Sequence, residues 1–466
     1  MALTKSRFLS VFVLCMINVA AICNIANLTF TAKEGFSSLF YYALASLIFF
    51  IPVGLAAAEL AAAWPERGGV YIWVREALGE KAGFVAIWLQ WVENVIWYPT
   101  LLAFVASTFA YIFNPSLAAN KLYIMAVVLV TFWLITFLNS LGMKISAWIS
   151  TLCVLIGTLL PGFFLIAMGF GWVLSAQPLQ ISFSIANLFP SFATYDHISL
   201  LVAVFLSLAG LEMSGVHAKE VENPQKDYPK AILFSSLIIF SLVSLASLSI
   251  AIIVPKVELA SGTIEAFRLY FNSYGFSWML PFVAFLIVLG SIGLISTWTV
   301  GPTKGLLATA RHGELPPFLQ RTNKKGMPVS ILLIQAIVVT FLSFTFFLMP
   351  SVSSTYRLLF YLSAQLYLIM YILLFLSLLV LRYKQPKVAR PFQIPLGNKG
   401  VWVVSSIGIL GSILAIGCGF IPSHDVEASH RLFFALFLII GILLFCLIPI
   451  IIHGMRKPSW HIFKEE

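Results

Sequence analysis

Charge is what this sequence has least of. Only 10% of its 466 residues are Asp, Glu, Lys or Arg, against about 25% in ordinary soluble domains. That scarcity, beside a hydrophobic share of 60%, excludes a soluble globular chain. Runs of alternating polarity are lacking too, which excludes a transmembrane β-barrel. Cysteine is sparse. Cys15, Cys23, Cys153, Cys418 and Cys446 all fall in apolar runs, without metal-ligand spacing, and an odd number in lipid is no disulfide framework. No metal, no cofactor and no catalytic residue is expected, because the spans hold no nucleophile–base pair. The expected protein is not an enzyme.

What is present is apolar material in many runs of about 20 residues, the length that crosses ~30 Å of hydrocarbon. The expected class is an all-α polytopic membrane protein. Twelve spans are predicted, at about 8–30, 37–63, 83–113, 121–141, 146–170, 197–218, 230–254, 275–303, 329–349, 354–382, 400–420 and 431–453. The first follows Lys5 and Arg7 and is too long for a signal-peptide core, so it is kept as a span.

The net charge of +10 has a topological reading. With the N-terminus inside, 22 of the 28 basic residues fall on inner segments and 6 on outer ones. The positive-inside rule then predicts cytoplasmic N- and C-termini. The basic residues face anionic membrane lipids, and no nucleic acid is needed to explain them.

The stretch around which the chain is organised is Phe205–Gly215 (FLSLAGLEMSG). It lies in an apolar run yet holds two glycines, two serines and Glu212. Each glycine weakens a helix by about 1 kcal/mol relative to alanine, and a carboxylate in lipid is costly. Irregular backbone at membrane depth is tolerated only where it is buried in protein or lines a cavity. The stretch Ala209–Gly215 is therefore read as the break of a discontinuous helix beside a small-molecule site. A close helix–helix contact through small residues is the other reading.

Span 1 is the second irregular one. Asn18, Asn24, Asn27 and Thr29 punctuate it, with Ala20, Ala21 and Ala26 between. Interhelical hydrogen bonds would account for the amides. So would a break that partners the one in span 6. Two polar-interrupted spans at corresponding places of two repeats point to a transporter site at the bilayer midplane. Spans 1–5 and 6–10 would be those repeats: 1–170 the first, 171–390 the second, and 391–466 two peripheral spans with a short tail.

Elsewhere, residues 64–79 are read as a glycine turn and a short amphipathic cytoplasmic helix. Glu59 and Glu93 are placed near the membrane interface or in local pairs, with functional involvement as the other reading. Trp97 is a weak site candidate. His197, beside Asp196, is read as a solvated loop histidine at the mouth of span 6, with a proton-sensing role as the other reading. Span 8 carries Trp298 among hydroxyls, followed by a Gly-Pro break at Gly301 and Pro302. Its indole needs a partner for its N–H and offers a face to a substrate ammonium. Ser363 and Tyr361 are lining candidates in span 10.

Six stretches, in order across about 300 residues, carry a resemblance: IPVGLAAAEL (51–60), GGVYIW (68–73), GLEMS (210–214), ENPQKDYP (222–229), WTVGPTKG (298–305) and NKKGMP (323–328). The set is similar to the amino acid–polyamine–organocation superfamily, and within it to the bacterial glutamate/GABA antiporter branch. The resemblance implies 12 transmembrane helices in a leucine-transporter-type 5+5 inverted repeat, with helices 1 and 6 discontinuous and two peripheral helices. It implies alternating access and an amino acid substrate. It also implies a bacterial inner-membrane antiporter, with a proton-coupled symporter as the alternative and a non-transporting sensor as a remoter one.

Mapped onto this chain, the implied substrate-binding residues are Ala20, Ile22, Cys23, Asn24 and Asn27 in span 1. In span 6 they are Ala209, Gly210 and Ser214. Trp298 and Ser363 complete the set. Glu212 falls where a gating or proton-linked acid is expected. The chain departs from the pattern in three places. Ala20–Asn27 replaces a Gly-Ser-Gly type break, Leu294 stands where the glutamate/GABA antiporter has an acid, and 13 residues follow His453 in place of a long C-terminal plug. Monomer and homodimer both stay open. The acidic residues near the breaks favour a neutral or protonated substrate over a dianion.

Overall fold

A computed structural model describes residues 9–66, 68–190, 195–256, 262–344, 352–421 and 431–461. The described chain is helical throughout, with one isolated backbone bridge between Leu9 and Val221. In the order used below, the helices are α1 (Val11–Ile22), α2 (Leu28–Ala32), α3 (Gly35–Ala63), α4 (Val70–Leu78), α5 (Glu80–Phe113), α6 (Lys121–Ser140) and α7 (Met143–Leu174). They continue as α8 (Tyr195–Ser207), α9 (Pro224–Ile253), α10 (Ile264–Tyr274), α11 (Leu280–Thr309), α12 (Val329–Ser343), α13 (Val352–Lys384), α14 (Gly397–Gly419) and α15 (Arg431–Gly454).

Ten stretches among the described residues are long and apolar enough to cross a membrane. They fall on the expected spans 1–5, 7, 8 and 10–12. Two shorter apolar helices, Leu200–Gly215 and Val329–Ser343, fall at expected spans 6 and 9. The chain is a multi-pass membrane protein. Its outer faces carry the residues that lipid favours: Leu432, Ile440, Leu443, Leu447 and Ile451 of α15 are all exposed. The side chains of Asp196 and His197, and the expected end of span 9, lie outside the described residues.

The first two apolar segments meet the expectation of an interrupted helix. α1 is capped by the Ser10 hydroxyl, which accepts from the Val13 amide. It stops at Ile22, where Cys23 leaves the helical region (φ −71°, ψ 88°) and Asn24 is extended. Asn24 then accepts from the Ala26 amide at 3.0 Å and starts the next turn. An asparagine favours this local bond over helix continuation, and here it restarts the helix as a cap.

The break before Glu212 lies earlier than the sequence suggests. Only Leu208–Gly210 are non-helical. Residues Leu211–Glu220 form a tight 3₁₀ helix, so most of Ala209–Gly215 is wound. Gly210 has φ +125°, a conformation that side-chain-bearing residues rarely adopt. A second correction concerns span 8. The expected Gly-Pro break is absent, and α11 runs through Gly301 and Pro302 without interruption. In the same turn the Thr303 hydroxyl donates to the Thr299 carbonyl at 2.9 Å, and proline is tolerated inside membrane helices where local groups adjust around it. Gly301 has a packing role, since a Cβ there would lie 2.2 Å from the Met213 sulfur.

Two close approaches fix the interior. At Gly157, within a π turn of α7, a Cβ would sit 2.1 Å from the Gly290 amide nitrogen of α11. Small residues at such crossings let backbones touch. At the end of α3, buried Glu59 accepts from Arg382 at 2.7 Å and from the Ile394 amide at 2.9 Å. Arg390 approaches its other oxygen at 3.5 Å and covers the Trp64 ring at 5.3 Å. Trp64 donates to Gln385 at 3.2 Å, and Gln385 donates to Glu76 of α4 at 3.1 Å. This knot ties α3, α4, α13 and the segment leading into α14. Glu59 is thus locally paired, one of the readings of the sequence.

Candidate functional site

The two helix breaks meet at Trp298. Its indole donates to the Ala21 carbonyl at 2.8 Å, next to the end of α1. A Cβ on Gly210 would lie 3.1 Å from both Ile22 and the Trp298 ring. Ala21, Ile22, Gly210 and Trp298 therefore form one contact layer linking α1, the break after α8, and α11. Breaking α1 frees carbonyls that an unbroken helix would use, and Trp298 takes one of them.

Glu212 is 1% exposed and fully engaged. Tyr367 and Tyr371 of α13 both donate to it, Tyr371 at 2.6 Å. Gln90 of α5 donates to the same oxygen as Tyr367, at 2.9 Å. The Tyr371 hydroxyl also accepts from the Gly210 amide at 2.7 Å. The Trp298 and Tyr367 rings stand edge to face, with centroids 5.7 Å apart. One network therefore joins α5, the two arms around the break after α8, α11 and α13. Glu93 belongs to this interior. It is 3% exposed and accepts from its neighbour Asn94 at 2.6 Å, the local pairing that was one of the readings of the sequence.

Cys23 and Asn24 pack toward Gly157 and Thr158 of α7 and Gly290, Ser291 and Leu294 of α11, around a space too small to hold a water molecule. Ala20 and Ile22 are buried in α1. Asn27 is buried with its side-chain oxygen unbonded. Ala209 lies in the break and returns its amide to Leu206 at 3.2 Å. Ser214 is buried with its hydroxyl unbonded, while its carbonyl accepts from Tyr228 at 2.9 Å. Ser363 turns its hydroxyl to the Phe360 carbonyl at 2.9 Å, within its own helix. Sequence reasoning missed Gln90, Tyr367 and Tyr371 as partners of Glu212. The signal was there: Tyr367 and Tyr371 are four apart, as neighbours on a helix face must be, and so are Gln90 and Asn94. No group of His, Cys, Asp or Glu among the described residues could hold a metal ion.

The sequence matches the profile of the family described as amino acid permease over residues 7–445. The chain belongs to the amino acid permease family. That family membership and the apolar helices make it an amino acid transport protein of the membrane. Over 96% of each chain it is 47% identical to an uncharacterised transporter of Legionella pneumophila. It is 29% identical to a glutamate/gamma-aminobutyrate antiporter of Lactococcus lactis, over 92% of this chain and 86% of that one. A probable agmatine/putrescine antiporter of the same species is 26% identical over 79% and 78%.

Proposed function

We propose that the chain is a secondary antiporter that exchanges amino acids or related amines across a bacterial inner membrane by alternating access. The observation that carries this reading is the meeting of two broken helices at one tryptophan: Ala21 and Ile22 from one break, Gly210 from the other, Trp298 between them. A helix break buried in protein exposes backbone groups that a polar ligand can use. Two such breaks side by side supply enough of them for a zwitterion or an amine.

The two shorter apolar helices bring the expected spans to twelve, and the two breaks occupy corresponding positions in two units of five. This supports the inverted-repeat arrangement, with residues 391–466 outside the repeats. The termini are assigned to the cytoplasm on the distribution of basic residues. Trp298 forms a wall of the site, and Glu212 with its two tyrosines latches it. Exchange is preferred over symport because two of the antiporters that resemble this chain cover most of its length.

The test is counterflow in proteoliposomes. Vesicles are loaded separately with common amino acids, GABA and putrescine, and uptake of the same labelled compound is followed with and without a proton gradient. Uptake that requires internal substrate and ignores the gradient agrees with exchange. Gradient-driven uptake into empty vesicles contradicts it in favour of symport.

A further inference from the structure

On the outside of the bundle, α13 and α14 leave a groove of about 630 Å³ between them. It is lined by Leu376, Leu379, Val380, Tyr383 and Lys384 of α13 and by Trp402 of α14. Leu376, Leu379, Val380 and Tyr383 follow one another at helical spacing along one face. Leu376, Tyr383 and Trp402 are exposed, as are Val403 and Ile407 further along α14. The groove therefore opens away from the protein interior, onto the hydrocarbon that surrounds a multi-pass membrane protein.

One end of the groove is polar and held in place. The Trp402 indole donates to the Tyr383 hydroxyl at 2.9 Å, which leaves the Tyr383 O–H to donate elsewhere. Tyrosine and tryptophan are the side chains that sit at the level of lipid headgroups. The Lys384 ammonium donates to the Glu76 carbonyl at 2.9 Å and the Ala77 carbonyl at 3.2 Å, in the last turn of α4. These bonds fix a positive charge at the rim and leave its third N–H over. Residues 376–402 include five basic side chains and no acid. Arg382 and Arg390 are taken up by Glu59, and Glu76 is bonded to Arg75 and Gln385. Lys384, Lys387 and Lys399 are exposed, and the described salt bridges bring no acid to them.

An apolar groove with a basic, hydrogen-bonding rim at one end has the polarity of a phospholipid. The charge selects among occupants. A second copy of the chain joined here across a two-fold axis would set the same lysines against one another. An anionic headgroup gains from each of them.

With the connection between α13 and α14 on the cytoplasmic side, as its basic residues assign it, we propose that this groove binds one anionic glycerophospholipid of the inner leaflet. One acyl chain lies along Leu376, Leu379, Val380 and Trp402. The phosphate meets Lys384 and the Tyr383 hydroxyl, and Lys387 and Lys399 add attraction at the rim. The site is separate from the meeting point of the two helix breaks and stands whichever way transport is coupled.

The test uses the purified full-length protein and two probes. Phosphatidylglycerol carrying a photoactivatable diazirine in its acyl chain is cross-linked to the protein in liposomes, and the adducts are mapped by mass spectrometry. Phosphatidylglycerol and phosphatidylethanolamine are then titrated onto the detergent-purified protein and counted by native mass spectrometry. The expected adducts concentrate in residues 376–384 and 397–407, and phosphatidylglycerol binds at least three-fold tighter than phosphatidylethanolamine. Lys384→Gln should reduce that preference to less than two-fold. Lys324→Gln with Lys325→Gln, which removes two charges from another basic loop, should leave it unchanged. Leu376→Trp fills the groove from its exposed side and should cut the adducts there at least five-fold without lowering the melting temperature, a readout that does not depend on Lys384. Adducts spread evenly over the apolar surface overturn the site, as do adducts that survive Leu376→Trp. Equal binding of the two lipids, or an equal loss of preference in the Lys324/Lys325 variant, overturns the anionic headgroup. A protein dimer cross-linked through residues 376–402 that excludes lipid overturns the proposal in favour of a second copy.

Discussion

The Tyr371 hydroxyl joins Gly210 to Glu212: it accepts from the Gly210 amide at 2.7 Å and donates to the Glu212 carboxylate at 2.6 Å. A helix break and the acid just after it are thereby fixed to one side chain of α13. A hydrogen bond to a charged group contributes about 1.5–3 kcal/mol, and an unpaired buried amide costs a similar amount.

Tyr371→Phe removes both bonds while keeping the ring. The expected outcome is a counterflow rate at least ten-fold lower, with protein yield and monodispersity close to wild type. A rate within two-fold of wild type would return Tyr371 to a packing role.

Glu212→Gln keeps the volume but offers two N–H donors where Gln90, Tyr367 and Tyr371 already donate. The variant should fold, and its exchange should fall by more than that of Tyr371→Phe, since three bonds meet this one group. Normal exchange across the pH range would remove Glu212 from the gating network.

The knot around Glu59 should matter for stability. Arg382 and Arg390 are both little exposed beside a buried carboxylate. Leaving one member of a buried charge pair alone costs about 3–5 kcal/mol. Arg382→Met should lower the melting temperature in detergent markedly, and Arg382→Met combined with Glu59→Gln should recover part of the loss. Equal melting of the single and double variants would show that the pair is not coupled.

The close approach of α7 and α11 gives a paired test. Gly157→Ala would place a methyl 2.1 Å from a backbone nitrogen, whereas Gly417→Ala meets nothing within 4 Å. The first should destabilise by roughly 1–3 kcal/mol, as overpacking does. The second should be neutral or stabilise by up to about 1 kcal/mol, because alanine is the better helix former. Similar melting of the two variants would contradict the packing described.

Glu76 sets a pH-dependent contribution outside the membrane-spanning helices. Burial alone raises its carboxyl, but hydrogen bonds from Arg75 and Gln385 and the charges of Arg75 and Lys384 outweigh it and hold the group below the usual carboxylate range. A lowered folded value means stability that is present above the unfolded value and lost as pH falls through the folded one. The difference in melting between wild type and Glu76→Gln should therefore shrink as pH drops below about 4. A difference that is constant with pH would remove the linkage.

Much of this fold was legible because membranes make helices obligatory and apolar length marks each one. The break of α1 was visible as amides in an apolar run, and that after α8 as glycines, serines and an acid. The limits of the second break were not, since Leu211–Glu220 could be wound as easily as unwound on composition. The Gly-Pro pair in α11 misled for a physical reason. The helix continues through Pro302, with the Thr303 hydroxyl donating back to the Thr299 and Val300 carbonyls, and Gly301 is small because Met213 lies against it. Tyr367 and Tyr371 were obscured because aromatic residues in spans usually pack, and only the structure brings Gln90 to the same carboxylate.

In the exchange proposed for this chain substrate sits where the two breaks meet, and Cys23 lies at one of them. In a variant retaining Cys23 with the other four cysteines replaced, alkylation by a small water-soluble thiol reagent can be followed by mass spectrometry. The expected outcome is that a compound shown to be exchanged slows this reaction in a saturable way, with a half-effect near its transport affinity. An alkylation rate that is identical with and without saturating substrate would contradict it.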